Sequence, residues 1–103
     1  MTFDEYQDRA TGTALPGILH DDNYFALGLT GEAGEVAEHF KKGIRDGEIS
    51  KSAVKKELGD VLWYLSQLAR CMDCKLSEVA ISSIEKLESR KARGVISGSG
   101  DNR

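Results

Sequence analysis

The chain has 103 residues, of which 40% are hydrophobic and 30% charged, and a formal net charge of −3. That is enough for one soluble globular domain. The charge lacks the basic footprint of a general nucleic-acid binder, and no apolar run approaches the ~18 residues of a membrane span. The N-terminal MTFDEYQDR is acidic and has no signal-peptide apolar core, so a cytoplasmic location is expected. A single Pro and long stretches of helical period predict an all-α fold. A helical domain of this size buries a modest fraction of its surface and often completes its core by oligomerising.

Residues 3–14 are predicted as a first helix. Phe3, Tyr6, Ala10 and Ala14 recur at helical spacing with Gln7 and Thr11 beside them, and Leu15-Pro16-Gly17 ends it. A loop follows, with Asp21 or Asp22 as the N-cap of a second helix from Asn23 to Ile44. That helix holds Gly28, Gly31 and Gly34, each disfavoured in a helix interior by about 1 kcal/mol relative to Ala. Three at this spacing make a smooth ridge, suited either to a tight helix crossing or to the close approach of a ligand. Residues 43–48 read as a turn, and Ser50 or Ser52 caps a third helix running to about Met72. So short a connection makes the second and third helices antiparallel neighbours. Trp63 suits burial or a contact between copies, or stacking on a nucleobase. Cys71 and Cys74 form a lone C-x-x-C without further metal-ligand spacing from His20 or His39, and read as reduced thiols.

Ser77 is expected to cap a fourth helix, with Glu78 in its first turn and Val79, Ile81, Ile84 and Leu87 as its apolar residues. Lys86, Arg90 and Arg93 stand at i, i+4 and i+7 and make a basic stripe, either a solvated helix end or a phosphate site. The Gly- and Ser-rich tail is expected to be a flexible arm that folds over a site.

Four acids stand out: Glu32 and Glu35 on the second helix, Glu57 and Asp60 on the third. Residues three apart share a helix face. At about 100° per residue, with Glu57 at zero, Asp60 falls near 300°, and Leu68, Val61, Leu65, Leu58, Ala69 and Leu62 fill an arc of roughly 20° to 140°. With Glu32 at zero, Glu35 also falls near 300°, and Phe25, Val36, Leu29, Phe40 and neighbouring alanines span about the same arc. If the two apolar faces meet, four carboxylates converge at one edge. Such a cluster requires raised pKa values or a counter-charge, and a hard divalent cation with oxygen ligands supplies one. A solvated mixed-charge face is the plainer reading of any single E-x-x-E. Glu38, near 240° on the same wheel, lies further out.

The phrases GLTGEAGEVAEHFKK and KKELGDVLWYLSQLA, with the ending EKLESRKARGVISGSGDNR, resemble the MazG-like nucleotide pyrophosphohydrolases of the all-α NTP pyrophosphatase superfamily. Their pattern is E-E-x-x-E followed by E-x-x-D, and the likeness covers about residues 3–103. It implies a four-helix bundle completed by oligomerisation, as a single domain over 1–103 with 94–103 as a C-terminal arm. It further implies Mg²⁺-dependent hydrolysis of a (deoxy)nucleoside triphosphate to monophosphate and pyrophosphate. Glu32, Glu35, Glu57 and Asp60 are then the ligands of Mg²⁺, with Mn²⁺ as the alternative, and Glu35 is the candidate to act on the water. Lys86, Arg90 and Arg93 would bind the phosphate tail, and the base would lie between Tyr6 and Gln7 of the first helix and Trp63. A homodimer or homotetramer with its site near a subunit interface is implied, with no nucleic-acid partner. The chain departs from the pattern at Gly31, where the first Glu would stand, and at Ser83, where family members often carry Asn.

Two other classes make different demands on the sequence. A di-iron carboxylate bundle requires Glu-x-x-His on two helices, and no Glu here has His three residues later. A non-catalytic helical interaction module would leave the acids as surface charge, with Mg²⁺ binding weak and insensitive to Glu57→Ala.

Overall fold

Each helix start is fixed by a side chain that satisfies backbone N–H groups left without intrahelical partners. In the computed structural model, which describes residues 1–103, Thr2 and Glu5 form a reciprocal capping box that opens α1 (Phe3–Thr11). Pro16–Ile18 makes a single 3₁₀ turn. The Asp21 carboxylate accepts from Tyr24 N–H at 3.1 Å and starts α2 (Asp22–Asp46). The Ser50 hydroxyl accepts from Ala53 N–H at 3.3 Å and starts α3 (Lys51–Cys71). α4 spans Leu76–Ala92.

Three boundaries differ from the sequence expectation. α1 stops at Thr11, three residues early, with Gly12 at its C-cap. α2 continues through the expected turn to Asp46 and closes at Gly47, whose φ of 89° is the left-handed conformation glycine adopts without strain. Gly43 serves packing rather than turning: a Cβ there would lie 2.5 Å from Ile49 Cγ1. α4 has Lys75 at its N-cap and no cap from its own neighbourhood. Instead α1 reaches across. Ser77 N–H and Oγ–H donate to the Asp4 carboxylate at 3.0 and 2.7 Å, and Leu76 N–H donates to Gln7 Oε1 at 3.0 Å.

The molecule is all helical. α2 and α3 form its antiparallel spine, α1 packs against α3, and α4 leans on α1 and α3 without substantial contact with α2. The best-buried aromatic is Phe25, fully enclosed, with Trp63 edge-on at 5.7 Å, Tyr24 at 5.6 Å and the Arg70 guanidinium 5.8 Å above its ring. Tyr64 presses on the α2 backbone at Gly28, where any Cβ would collide with its ring. The α1–α3 contact is polar. Gln67 and Ser66 are fully buried, and Gln67 Nε2 donates to Thr11 Oγ1 while its Oε1 accepts from Arg70.

The apolar stripes are only partly covered. Phe40 is 49% exposed and Leu58 53%, so the C-terminal half of the α2 stripe and the start of the α3 stripe face outward. Together with Ile49 and Val54 they line an open apolar groove of about 300 Å³. Ile81, Ile84 and Leu87 of α4 are likewise open. The radius of gyration, 16.3 Å, exceeds the about 13 Å of a compact domain this long.

Candidate functional site

The antiparallel α2–α3 pairing brings three of the four acids together. One carboxylate oxygen from each of Glu32, Glu57 and Asp60 lies within 4.8 Å of the others. Glu32 and Glu57 are half-buried and Asp60 is exposed. Partial burial raises the Glu32 pKa above its ordinary value, and the charges of Asp60, Glu57 and Glu35 add to the rise, as does a hydrogen bond to Glu57. Glu35 stands exposed one turn along α2, outside the three-oxygen group yet close enough for its charge to act on Glu32. Glu38 is turned away, in an ion pair with Lys41 at 2.9 Å. Glycines border the cluster: Gly31, Gly34 and Gly59 have nothing within 4 Å of where a Cβ would stand.

Two aromatic side chains flank the acids from opposite helices. His39 of α2 lies with Nε2 3.2 Å from Glu57 Oε1. Tyr64 of α3 has its pKa raised, first by a hydrogen bond to Tyr24, then by burial and by the charges of Tyr24, Glu32 and Asp60. His39 was not singled out from the sequence, although a signal was present. At about 100° per residue it falls near 340° on the wheel that puts Glu32 at zero and Glu35 near 300°, between the two acids.

Beside Asp60, an open groove of about 320 Å³ is lined by Tyr6, Arg9, Thr13 and Trp63 among others. Burial and then the Asp60 charge raise the Tyr6 pKa, which places its ring near the acids. Trp63 Nε1–H donates to Thr13 Oγ1 at 2.8 Å, fixing the indole as one wall. Gln7 is not in this groove. It is buried, and its amide is spent on Ser66 O, Cys74 O and Leu76 N–H, so it holds α1 to the α3–α4 turn.

The basic stripe is occupied by the chain's own tail. Lys86 Nζ lies 3.0 Å from Asp101 Oδ1. Arg90, 5% exposed, donates from Nη2 to the Asp101 carbonyl at 2.6 Å and carboxylate at 3.1 Å, leaving its Nε without a partner. Arg93 donates to Arg103 O. Arg103 in turn donates to the carbonyls of Val95, Ile96 and Gly100, closing the arm into a loop. The arm therefore folds over the stripe itself. These cations depress the Asp101 pKa. No hydrogen bond or ion pair links the stripe to the acidic cluster within one chain.

The family description "MazG nucleotide pyrophosphohydrolase domain" matches residues 22–95. The chain belongs to the MazG nucleotide pyrophosphohydrolase family. It is also 47% identical, over the full length of both chains, to the Gene 37 protein of Mycobacterium phage L5, whose name states no activity. No solved structure matches. The MazG match takes in α2, α3 and α4, and with them the clustered acids, His39 and the basic stripe; α1, with Tyr6, lies outside it. No helix is long and apolar enough to cross a membrane.

The donor set of this MazG domain fits a hard divalent cation. Opposite oxygens around six-coordinate Mg²⁺ stand about 4.2 Å apart, given bonds of 2.0–2.1 Å. Adjacent ones stand only about 2.9 Å apart, so a cation would draw the three carboxylate oxygens inward from their spread within 4.8 Å, and their mutual repulsion favours a cation among them.

Proposed function

We propose that this chain is a Mg²⁺-dependent nucleoside triphosphate pyrophosphohydrolase that cleaves between the α- and β-phosphates. The observation that carries the reading is the convergence of Glu32, Glu57 and Asp60 beside the groove walled by Tyr6 and Trp63. Glu32, Glu57 and Asp60 would hold the cation, with Mn²⁺ able to replace Mg²⁺. When bound, it supplies positive charge against the triphosphate and lowers the pKa of water. Glu35, exposed and adjacent, is the carboxylate left to complete the ligand set or to accept a proton from the attacking water. Water oxygen adds to the α-phosphorus, the bond to the bridging oxygen breaks, and pyrophosphate leaves with that oxygen. The flat groove between Tyr6 and Trp63 receives the base by stacking.

The phosphate role of Lys86, Arg90 and Arg93 requires two further things: that Asp101 yields to the substrate, and that the stripe meets an acidic cluster. Since α4 does not pack on α2 of its own chain, a second copy provides the meeting. The surface supports assembly. The chain exposes 7440 Å², whereas a compact monomer of 11.3 kDa exposes about 5,700 Å². The excess is about twice the ~800 Å² that a partner buries in a standard interface. We propose a homodimer or homotetramer whose contacts cover Phe40, Leu58 and the apolar residues of α4. The whole chain, 1–103, then acts as one domain with 94–103 as its arm, in the cytoplasm and without nucleic acid.

The test is pyrophosphate release from a panel of ribo- and deoxyribonucleoside triphosphates, with and without Mg²⁺, for the wild type and for Glu35→Gln and Asp60→Asn. Metal-dependent formation of monophosphate plus pyrophosphate, lost in both variants, is the expected result. Silence across the panel from a folded, Mg²⁺-binding protein would refute the reaction.

A further inference from the structure

Glu57 shares its oxygen cluster with Glu32 and Asp60 and also meets His39 Nε2, at 3.2 Å from its Oε1. The His39 contact crosses between helices, from α2 to α3. It is half-buried, the two side chains being 30% and 23% exposed. A glutamate on a helix surface has several rotamers, and most would carry its oxygens out of a three-residue cluster. A donor on the opposite helix selects the one that keeps them in.

We propose that His39 is a positioning residue for the acidic site, holding the Glu57 carboxylate in the orientation that a divalent cation needs. The inference rests on the reading that Glu32, Glu57 and Asp60 bind such a cation. His39 itself is outside the three-residue oxygen group, so it acts through Glu57 and not as a ligand. A carboxylate can only accept, so the ring nitrogen facing it carries the proton, in the neutral Nε2–H tautomer as well as in the imidazolium. Donation to Oε1 leaves the remaining lone pairs of Glu57 for the cation. Groups that donate to ligating carboxylates set ligand orientation, and their removal commonly weakens metal binding 10–100-fold.

The contact is specific to the pairing register of α2 and α3. His39 lies seven residues after Glu32, two turns along the same face, and the antiparallel α3 brings Glu57 to that level. Glu32, at the other end, lies within the field of Tyr64, whose ring packs at Gly28. The acids are thus bracketed by one polar aromatic from each helix, and only the histidine bonds to one of them.

The test is Mn²⁺ affinity by electron paramagnetic resonance on the full chain, without nucleotide, for wild type, His39→Leu, His39→Gln and Glu57→Gln. Leu keeps the bulk and removes the donor; Gln supplies an amide N–H in place of the ring donor. His39→Leu is expected to bind Mn²⁺ 10–100-fold more weakly than wild type, and His39→Gln within about threefold of it. The melting temperatures are expected to match, because the site is half-solvated. Wild-type affinity in His39→Leu alongside loss in Glu57→Gln would overturn the positioning role alone, as would equal weakness in His39→Leu and His39→Gln. Absence of Mn²⁺ binding by the wild type, or full binding by Glu57→Gln, would overturn the metal-site reading and this inference with it.

Discussion

Three glycines of α2 look alike in the sequence and differ in the structure. The site of Gly28 is filled by the Tyr64 ring, while Gly31 and Gly34 face open space. Alanine at any of them recovers about 1 kcal/mol of helix propensity. At Gly28 the added methyl also forces the ring or the helix aside, and overpacking of this kind costs about 1–3 kcal/mol. Gly28→Ala is therefore expected to destabilise by about 0–2 kcal/mol, and Gly31→Ala and Gly34→Ala each to stabilise by about 1 kcal/mol. For a chain this long, 1 kcal/mol shifts Tm by about 4–8 °C, so Gly28→Ala and Gly34→Ala should melt at least several degrees apart. Thermal and urea unfolding at one fixed protomer concentration make the comparison, because assembly would otherwise shift Tm by mass action. In a Tyr64→Ala background the penalty at Gly28 should vanish, giving a coupling of about 0.5–3 kcal/mol in the double-mutant cycle. Equal stabilisation by all three alanines, or additivity of Gly28→Ala with Tyr64→Ala, would refute the close approach of Tyr64 to α2. It would also remove the reason for placing that ring beside Glu32.

Other outcomes follow from single contacts. Asp4 has a lowered pKa because it accepts from the Ser77 backbone and hydroxyl, so it contributes stability above its unfolded value of 3.8, lost as pH falls through the depressed folded value. Asp4→Asn should therefore lower Tm at pH 7, and the difference should shrink in acid below pH 3.8; a deficit constant down to pH 2 would contradict the cap. Asp101→Ala removes the anion shared by Lys86 and Arg90, and limited trypsin digestion should then cut the tail after Arg93 faster than in wild type. An unchanged digestion rate would mean that Arg103 alone holds the loop. Leu58→Glu places a charge in the open apolar groove, and light scattering should show the assembly reduced to monomer; an unchanged mass would exclude that groove from the interface.

The helix count and the starts of α2 and α3 were legible because their signals are local: Asp21 and Ser50 cap the helices they precede. The start of α4 was not, because its partners, Asp4 and Gln7, are 73 and 69 residues away. The same contact explains the fate of Gln7. At helical spacing beside Tyr6 it reads as a surface group able to meet a base, and nothing local marks a glutamine whose three bonding partners come from α3, the turn after it and the first residue of α4. Burial was misjudged in the same direction. The most enclosed positions of α3 are Ser66 and Gln67, because α1 covers that face, while Leu58 on the apolar arc is left open.

At the candidate site, the wheel geometry of two E-x-x-[ED] pairs predicts four carboxylates together at the α2–α3 contact, and oxygens of three of them, Glu32, Glu57 and Asp60, lie within 4.8 Å of one another. It could not rank Glu35, whose exposure depends on how far the acids sit from α3. It also could not show that the basic stripe is covered by the tail, since the Asp101 contacts join segments 11 and 15 residues apart through a loop closed by Arg103.

Glu32, Glu57 and Asp60 are proposed to form the metal site of a nucleotide-cleaving centre. The most direct test is a crystal soaked with Mn²⁺ and an α,β-methylene deoxynucleoside triphosphate, with anomalous scattering collected at the manganese edge. The expected result is a manganese peak bonded to oxygens of those three residues and to the substrate phosphates. A manganese peak elsewhere with the cluster empty, or a bound nucleotide whose phosphates lie away from the three acids, would contradict it.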